Sequence, residues 1–369
     1  MKQVKNIYDA VIVGAGPAGC TCAHYLRQSG LNVLLLDKNN FPRHKPCAGG
    51  ITMKTIRHLP INIEHLVQHT AKKMKFSFSI DKSVELEHNT GSCVMVIRDE
   101  FDNYFFEETL KTGVDFQKIS KLKNITSRND ELMDVLFDDL TISTKYVIGA
   151  DGANSKVRKL SNRKQHLHPV SAYEGKVLRQ SDDNVVTEFI FNESGYAWIF
   201  PKLDHYNVGI GNLVSHQNIK KRKKEDLFKF VSERFKDREI TDITAFPVGT
   251  EGVGYTAENN IFLVGDAAGL AETLLGEGIY NAVISGKYAA QSIIDGRKSN
   301  QSATELYNSF LNKLSRELAL YSKGAKILYG FPKISYFAMK LWLGEKFMNG
   351  YSNGQTLSEI MGKKNSVIN

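Results

Sequence analysis

Cysteine is scarce in this chain, and long apolar runs are missing altogether. The 369 residues hold four cysteines, Cys20, Cys22, Cys47 and Cys93, with no C-x-x-C pair and no cluster with histidine at metal-binding spacing. That pattern argues against a disulfide framework, a structural zinc and a cysteine-held iron–sulfur centre, so no metal is expected. Thiols left reduced fit a cytosolic protein. No apolar stretch is long enough to span a bilayer, and the first one is strand-length and broken by Gly14, Gly16, Pro17 and Gly19. Neither a membrane span nor a leading signal peptide is therefore expected. An excess of acid is absent too: 48 Lys and Arg oppose 40 Asp and Glu, a net charge of +8. The surplus suggests anionic partners, a phosphate or a membrane surface. Its densest run, Lys220 to Lys224, is followed at once by Glu225 and Asp226 and reads as a solvated helix face. No nucleic-acid-binding signature accompanies it, and no internal repeat is visible.

What is present is a nucleotide-binding pattern split between distant parts of the chain. Asp9-Ala10-Val11-Ile12-Val13 reads as a buried strand and runs into Gly14-Ala15-Gly16-Pro17-Ala18-Gly19. This is G-x-G-x-x-G directly after a strand. Gly14 permits the tight turn, Gly16 lets a pyrophosphate approach the backbone, and Gly19 allows helix and strand to pack closely. The helix expected over residues 20–29 aims free N–H groups at phosphate. A second strand, Leu31 to Leu36, ends at Asp37 with Lys38 beside it. An acid there, about 20 residues past the glycines, accepts the ribose hydroxyls. Far along the chain, Ile261-Phe262-Leu263-Val264 ends in Gly265-Asp266-Ala267-Ala268-Gly269, with Gly276-Glu277-Gly278 ahead of a helical stretch. The chain must fold back on itself to complete one pocket, and FAD is foremost among the cofactors that need such a wrap.

Between these halves, Met74 to Ile80 and Val84 to Glu87 alternate around Asp81-Lys82-Ser83, a hairpin with one buried face. The pattern from Val94 to Gly113 reads as helix with Arg98 at its start. Tyr146 to Ala150 reads as a strand ending in the Asp151-Gly152 turn, and strand-like segments recur at 187–191, 196–201 and 207–211. The expected architecture is α/β. A Rossmann-like FAD-binding domain takes residues 1–73, 92–170 and 255–300, and an inserted antiparallel-sheet substrate domain takes 74–91 and 171–254. A C-terminal helical region covers 301–369. There, the aromatic and lysine mixture from Tyr329 to Trp342 reads either as a cap on the domain or as a surface lying on a membrane. The residues from about Gly362 are expected to be disordered.

These pieces together resemble the FAD-dependent oxidoreductases of the p-hydroxybenzoate hydroxylase superfamily, and within it the geranylgeranyl reductase family. Four shared motifs carry the likeness: the Gly14 to Gly19 loop with Asp37, the Ala150-Asp151-Gly152-Ala153-Asn154-Ser155 turn, the Gly265 to Gly269 turn, and Arg98 ahead of Phe101-Asp102. Two narrower ones are R-x-K-x-C-x-G-G from Arg43 to Gly50 and Y-x-W-x-F-P from Tyr196 to Pro201. The resemblance implies FAD, reduced by NADPH or another donor, and a prenyl lipid or other small molecule as substrate. It implies cofactor contacts from the first loop (Gly14, Gly16, Pro17, Ala18, Gly19), from Asp37 and Lys38, and from Arg43, Cys47, Ala48 and Gly49. Arg98, Asp151, Gly265, Asp266, Gly276, Gly278 and Ile279 complete the cofactor set. Tyr196, Trp198 and Phe200 alternate and so share a strand face, which the resemblance makes the lining of an apolar substrate cavity.

Hydride transfer to an isolated alkene needs a proton at the other carbon, and Cys47 is the expected donor or gate. The plainer alternatives are a small residue packed beneath the flavin for Cys47, a sheet core for the aromatic face, and a surface ion pair for Arg98. Thr273 stands where many relatives have proline, and Asp37 where glutamate is commoner, which leaves the substrate more open than the cofactor. An FAD-dependent monooxygenase or halogenase is the enzymatic rival, although halogenases carry W-x-W-x-I-P. A non-catalytic flavoprotein that binds lipid or a partner is the rival from another class.

Overall fold

In the computed structural model, which describes residues 7–362 apart from 80, 130, 139, 162–169, 193–194, 213–221, 251 and 253, five strands pair in parallel. Their order is Asp115–Lys118, Val33–Asp37, Ile7–Val13, Thr141–Gly149 and Ile261–Leu263. Runs of Val, Ile and Leu buried on both faces are what a parallel sheet covered by helices requires. Val11, Ile12, Leu34, Leu35 and Ile148 are fully buried here. Thr141–Gly149 is long enough to serve two partners on one edge. Its first half pairs antiparallel with Met133–Phe137 and its second half pairs parallel with Ile261–Leu263.

The helix Pro17–Gln28 begins three residues ahead of the expected start, because proline's fixed φ suits the first turn and its missing N–H costs nothing there. It packs against the long helix Ile279–Ser299. The approach is close enough that a Cβ on Gly286 would lie 2.3 Å from the carbonyl oxygen of Ala18. Val94 and Met95, expected in a helix, instead form the strand Cys93–Met95 between Gly50–Thr52 and His69–Thr70. The helix starts at Arg98 and runs to Lys111. Valines around Met95 lose side-chain freedom in a helix and gain packing in a buried sheet, and all three are buried.

The second sheet runs in the order Ile240–Val248, Val170–Leu178, His205–Gly211, Gly195–Pro201, Thr187–Asn192, Lys73–Ser79, Lys82–Glu87. It is mixed rather than wholly antiparallel, since Thr187–Asn192 and Lys73–Ser79 pair in parallel. The hairpin arrives from a separate part of the chain, so no tight turn dictates its direction. On one face Phe76, Phe191 and Trp198 pack with Tyr321, Tyr329 and Tyr351 of the C-terminal helices. On the other, Ile199, Val208 and Ile210 pack with Leu227 and Val231 of the helix Lys224–Phe235. The helix Ala303–Gly330 joins the two cores, placing Tyr307, Phe310 and Leu314 in the first and Tyr321, Ala325 and Tyr329 in the second.

Of the basic run expected to form a helix face, Arg222 and Lys223 lie ahead of the helix and Lys224 is its first residue. Lys223 precedes Lys224–Phe235 and its N–H donates to Asp226 Oδ2 at 2.8 Å, an acid in the first turn where the helix dipole favours it. Lys220 and Lys221 lie outside the described residues, as do residues 363–369. Among the described residues no helix is long and apolar enough to cross a membrane.

Gly286→Val should force the helices Pro17–Gln28 and Ile279–Ser299 apart. Overpacking of this kind costs about 1–3 kcal/mol, and the expected result is a lowered Tm in a thermal melt; an unchanged Tm would show that the helices separate freely.

Candidate active site

The parallel strands all end at one cleft of about 730 Å³. Ala150 N–H donates to Val13 O at 2.8 Å and Val264 N–H to Gly149 O at 3.0 Å, so three loops from distant sequence leave the sheet side by side. This is where open parallel sheets bind ligands. Gly14 has φ 109°, and a Cβ there would sit 2.3 Å from Ala150 O. A Cβ on Gly19 would sit 1.9 Å from Gly14 O, so Gly19 serves helix-to-strand packing behind the cleft. Over Gly16 the nearest atom to a Cβ is 3.5 Å away, on Arg43.

A dinucleotide fits this donor set. The helices starting at Pro17 and at Ile279 both begin without a capping side chain, and Gly16, Pro17, Ala18, Gly278 and Ile279 line the cleft. Two positive helix ends with unspent N–H groups suit a pyrophosphate and a second anionic group. Asp37 accepts Ala15 N–H and Asn39 N–H, both at 2.9 Å, and still faces the cleft beside Lys38; free lone pairs remain for hydroxyl donors.

Other acids and bases in the cleft are committed in ways the sequence did not reveal. Arg98 is buried, not a surface residue, and makes a two-bond pair with Asp102 at 2.9 Å on each oxygen. Arg43 approaches the same carboxylate at 3.0 Å. Both arginines line the cleft, held in place by one shared acid. Asp151 spends its oxygens on Ser155 Oγ and Lys156 N–H at 2.6 Å and on Val157 N–H at 3.1 Å, so its carboxylate shapes the turn. Gly265 packs against Ala18 and Ala282 rather than lining the cleft. Arg158, unnoticed in the sequence, donates to Ala267 O at 2.6 Å and to Ala153 O at 2.7 Å, stitching the two acidic turns together. Burial at the cleft floor pushes the Asp266 carboxyl up from its usual range, with Lys45 acting the other way.

A second, apolar chamber of about 130 Å³ adjoins the cleft. Cys47, Phe246, Val248, Gly276, Gly278 and Ile279 line both spaces. Tyr196, Trp198 and Phe200 line the chamber, together with Ala48, Gly49 and Tyr351. Trp198 stacks on Tyr196 at 5.5 Å between ring centres, and its Nε1 donates to Asn207 Oδ1 at 2.7 Å. Cys47, half-buried at the boundary, has its N–H held by Glu174 Oε1 at 2.8 Å, and its sulfur accepts Gly49 N–H at 3.4 Å. Lys202, next after the Y-x-W-x-F-P segment, donates to Ala48 O at 2.7 Å. Burial pushes the Glu174 carboxyl up and lowers the Lys202 ammonium to about 8.

The Gly276 to Gly278 loop is pinned from below. Glu277 pairs with Lys54 at 2.7 Å, both almost fully buried, and Lys54 also donates to Tyr321 OH at 3.0 Å. Breaking a buried pair by removing one partner costs about 3–5 kcal/mol. Glu272 accepts Leu274 N–H at 2.6 Å, and Leu275 N–H and Glu277 N–H at 2.9 Å. Its neighbour Thr273, where many relatives were expected to have proline, lies in the loop that this carboxylate holds. Glu277 stood inside a recognised motif and could have been singled out; Lys54, Glu174 and Glu272 carry no local signal because their partners come from other elements.

Fold and cleft together define an FAD-dependent oxidoreductase, and residues 7–295 match the FAD binding domain family. A digeranylgeranylglycerophospholipid reductase of Methanococcoides burtonii is 30% identical over 305 residues, 78% of this chain and 74% of that protein. An uncharacterized protein of Methanosarcina barkeri is 31% identical over 372 residues, 98% of this chain and 95% of its own. The chain belongs to the geranylgeranyl reductase family of FAD-dependent oxidoreductases. Among solved structures, a geranylgeranyl bacteriochlorophyll reductase-like protein of Thermoplasma acidophilum superposes with a TM-score of 0.72 at 21% identity over 98% of each chain. A flavin-dependent brominase does so with a TM-score of 0.76 at 16% identity over 94% of each. Both likenesses speak for the fold alone.

Lys202 gives a pH test. Below about 8 it is charged in both folded and unfolded chains, and the cost of burying that charge is present in full. Between about 8 and the ordinary lysine value of 10.5 the folded chain sheds its proton first. The unfolded chain then binds more protons and stability rises. Relative to Lys202→Met, the wild type should gain on the order of 3 kcal/mol across that window, read as a Tm difference that moves in favour of the wild type as pH rises; a constant difference would mean that Lys202 is solvated.

Proposed function

We propose that this chain reduces carbon–carbon double bonds of a prenyl lipid of the geranylgeranyl type, with NADPH or a similar reductant as the electron source. The observation that supports this most directly is the apolar chamber sharing its wall with the dinucleotide cleft at Cys47 and at Gly276 to Ile279. When bound, FAD supplies the hydride. The chain's own groups do the rest. The aromatic face of Tyr196, Trp198 and Phe200 excludes water and holds a hydrocarbon chain by apolar burial. Cys47 stands at the boundary with its backbone fixed by Glu174, where its thiol would deliver a proton to the second alkene carbon. Arg98, Arg43 and the two helix starts, which line the cleft, would hold anionic groups of the cofactor. A cytoplasmic enzyme working on such a lipid also needs to meet it at a membrane face.

The test is anaerobic reduction of the FAD-loaded protein, followed by addition of a geranylgeranyl lipid while flavin absorbance is recorded. Reoxidation by the alkene supports a reductase, whereas oxygen consumption tied to an aromatic substrate with no alkene turnover would replace it with a monooxygenase or halogenase. Cys47→Ala should keep its flavin and lose alkene reduction by about 100-fold or more; normal turnover would remove Cys47 from the chemistry. Trp198→Ala should shift the preferred chain length, and a loss of stability alone would make the aromatic face ordinary core.

A further inference from the structure

The C-terminal helices have two apolar faces, and only one of them is covered. Inward, Tyr321, Tyr329, Met339 and Tyr351 pack over the aromatic sheet face. Outward, Ile327, Phe331, Ile334, Phe337, Leu341 and Trp342 are exposed, from 55% for Phe337 to 75% for Leu341. Within the helical stretch from Pro332 to Leu343, Ile334, Phe337 and Leu341 fall at i, i+3 and i+7 and share one side. Ser335 and Met339, buried, fall on the other. A contiguous apolar face of this kind marks an interaction surface.

Charge identifies what covers it. Between Glu317 and Glu345 the sequence has no Asp or Glu but has Lys323, Lys326, Lys333 and Lys340, all exposed. We propose that this face docks in the plane of an anionic lipid bilayer, with the apolar side chains in the acyl boundary and the lysines among the headgroups. A second copy of the chain would set these lysines against their own kind, with no acid in the segment to answer them. No described helix is long and apolar enough to cross the bilayer, so the element lies on it. The proposal stands on residues outside the reacting groups; joined to the prenyl-lipid reading, it puts the helices that pack over the aromatic sheet face on the surface that holds the substrate.

Trp342 is exposed while Trp198, the other tryptophan, is buried, so emission reports the docking face directly. The full-length protein is mixed with vesicles of phosphatidylcholine alone or with phosphatidylglycerol added, with and without acyl-chain bromination. Binding is expected on the anionic vesicles, with a blue shift and bromine quenching that Trp342→Phe abolishes. Phe337→Ser with Leu341→Ser should weaken it by about tenfold or more, as should Lys333→Gln with Lys340→Gln or high salt. A melt matching the wild type checks that these exposed-site variants fold. Failure to bind, binding equal in all variants, or a dimer that Leu341→Ser dissolves while vesicle binding persists would overturn the proposal. None of these readouts involves alkene reduction, so the substrate reading can fail without affecting the result.

Discussion

Parallel pairing on both edges of Thr141–Gly149 is the constraint on which the rest of this molecule depends. One edge takes Ile7–Val13, in register from Ser143 to Gly149, and the other takes Ile261–Leu263. Parallel strands cannot be joined by a tight turn, so each pairing draws in a long excursion of chain. The gain is that three loop ends open at one point. Gly14, Ala150 and Val264 emerge side by side, and Arg158 ties the second and third turns through Ala153 and Ala267. Burial of the Val, Ile and Leu runs holds the register, because slipping one strand would both expose apolar side chains and break up the cleft.

The excursions themselves build the second half of the site. The mixed sheet supplies Tyr196, Trp198 and Phe200, and Glu174 from the same sheet fixes Cys47. The helix Ala303–Gly330 spans both cores, so the dinucleotide cleft and the aromatic chamber share a rigid beam. Lys54 is the point where the parts meet. It joins Glu277 of the glycine loop to Tyr321 of that helix, with the ring of Tyr280 4.5 Å from its ammonium. A buried ion pair with every partner in place costs little, yet it punishes displacement of any partner. The loop facing the cleft is therefore held from the C-terminal side of the molecule.

Much of the parallel sheet and its cleft was legible because its signals are local. The glycine spacing from Gly14 to Gly19, the strand before it and Asp37 after the second strand all sit within one βαβ unit, and the Gly265 turn repeats the strand-then-acid pattern. The alternation of Tyr196, Trp198 and Phe200 put them on one face without reference to any partner. Local reading erred where pairing overrode propensity. Val94 and Met95 went into a strand because Gly50–Thr52 and His69–Thr70 were available to pair. The hairpin at Lys73–Glu87 met its neighbour in parallel because the chain between them is long.

By itself the sequence determined the cofactor class and the architecture, since backbone turns, helix starts and strand ends are written in consecutive residues. Tertiary structure alone decided how the charged residues are spent. Arg98 against Asp102 lies one helical turn away and was within reach of inspection, but Glu174 against Cys47, Glu277 against Lys54 and Lys202 against Ala48 join positions scores of residues apart. Such pairs have no periodicity to betray them. They exist because burial strips water from each group and leaves the nearest complementary atom as its partner, and which atom is nearest is settled only when the chain has closed on itself.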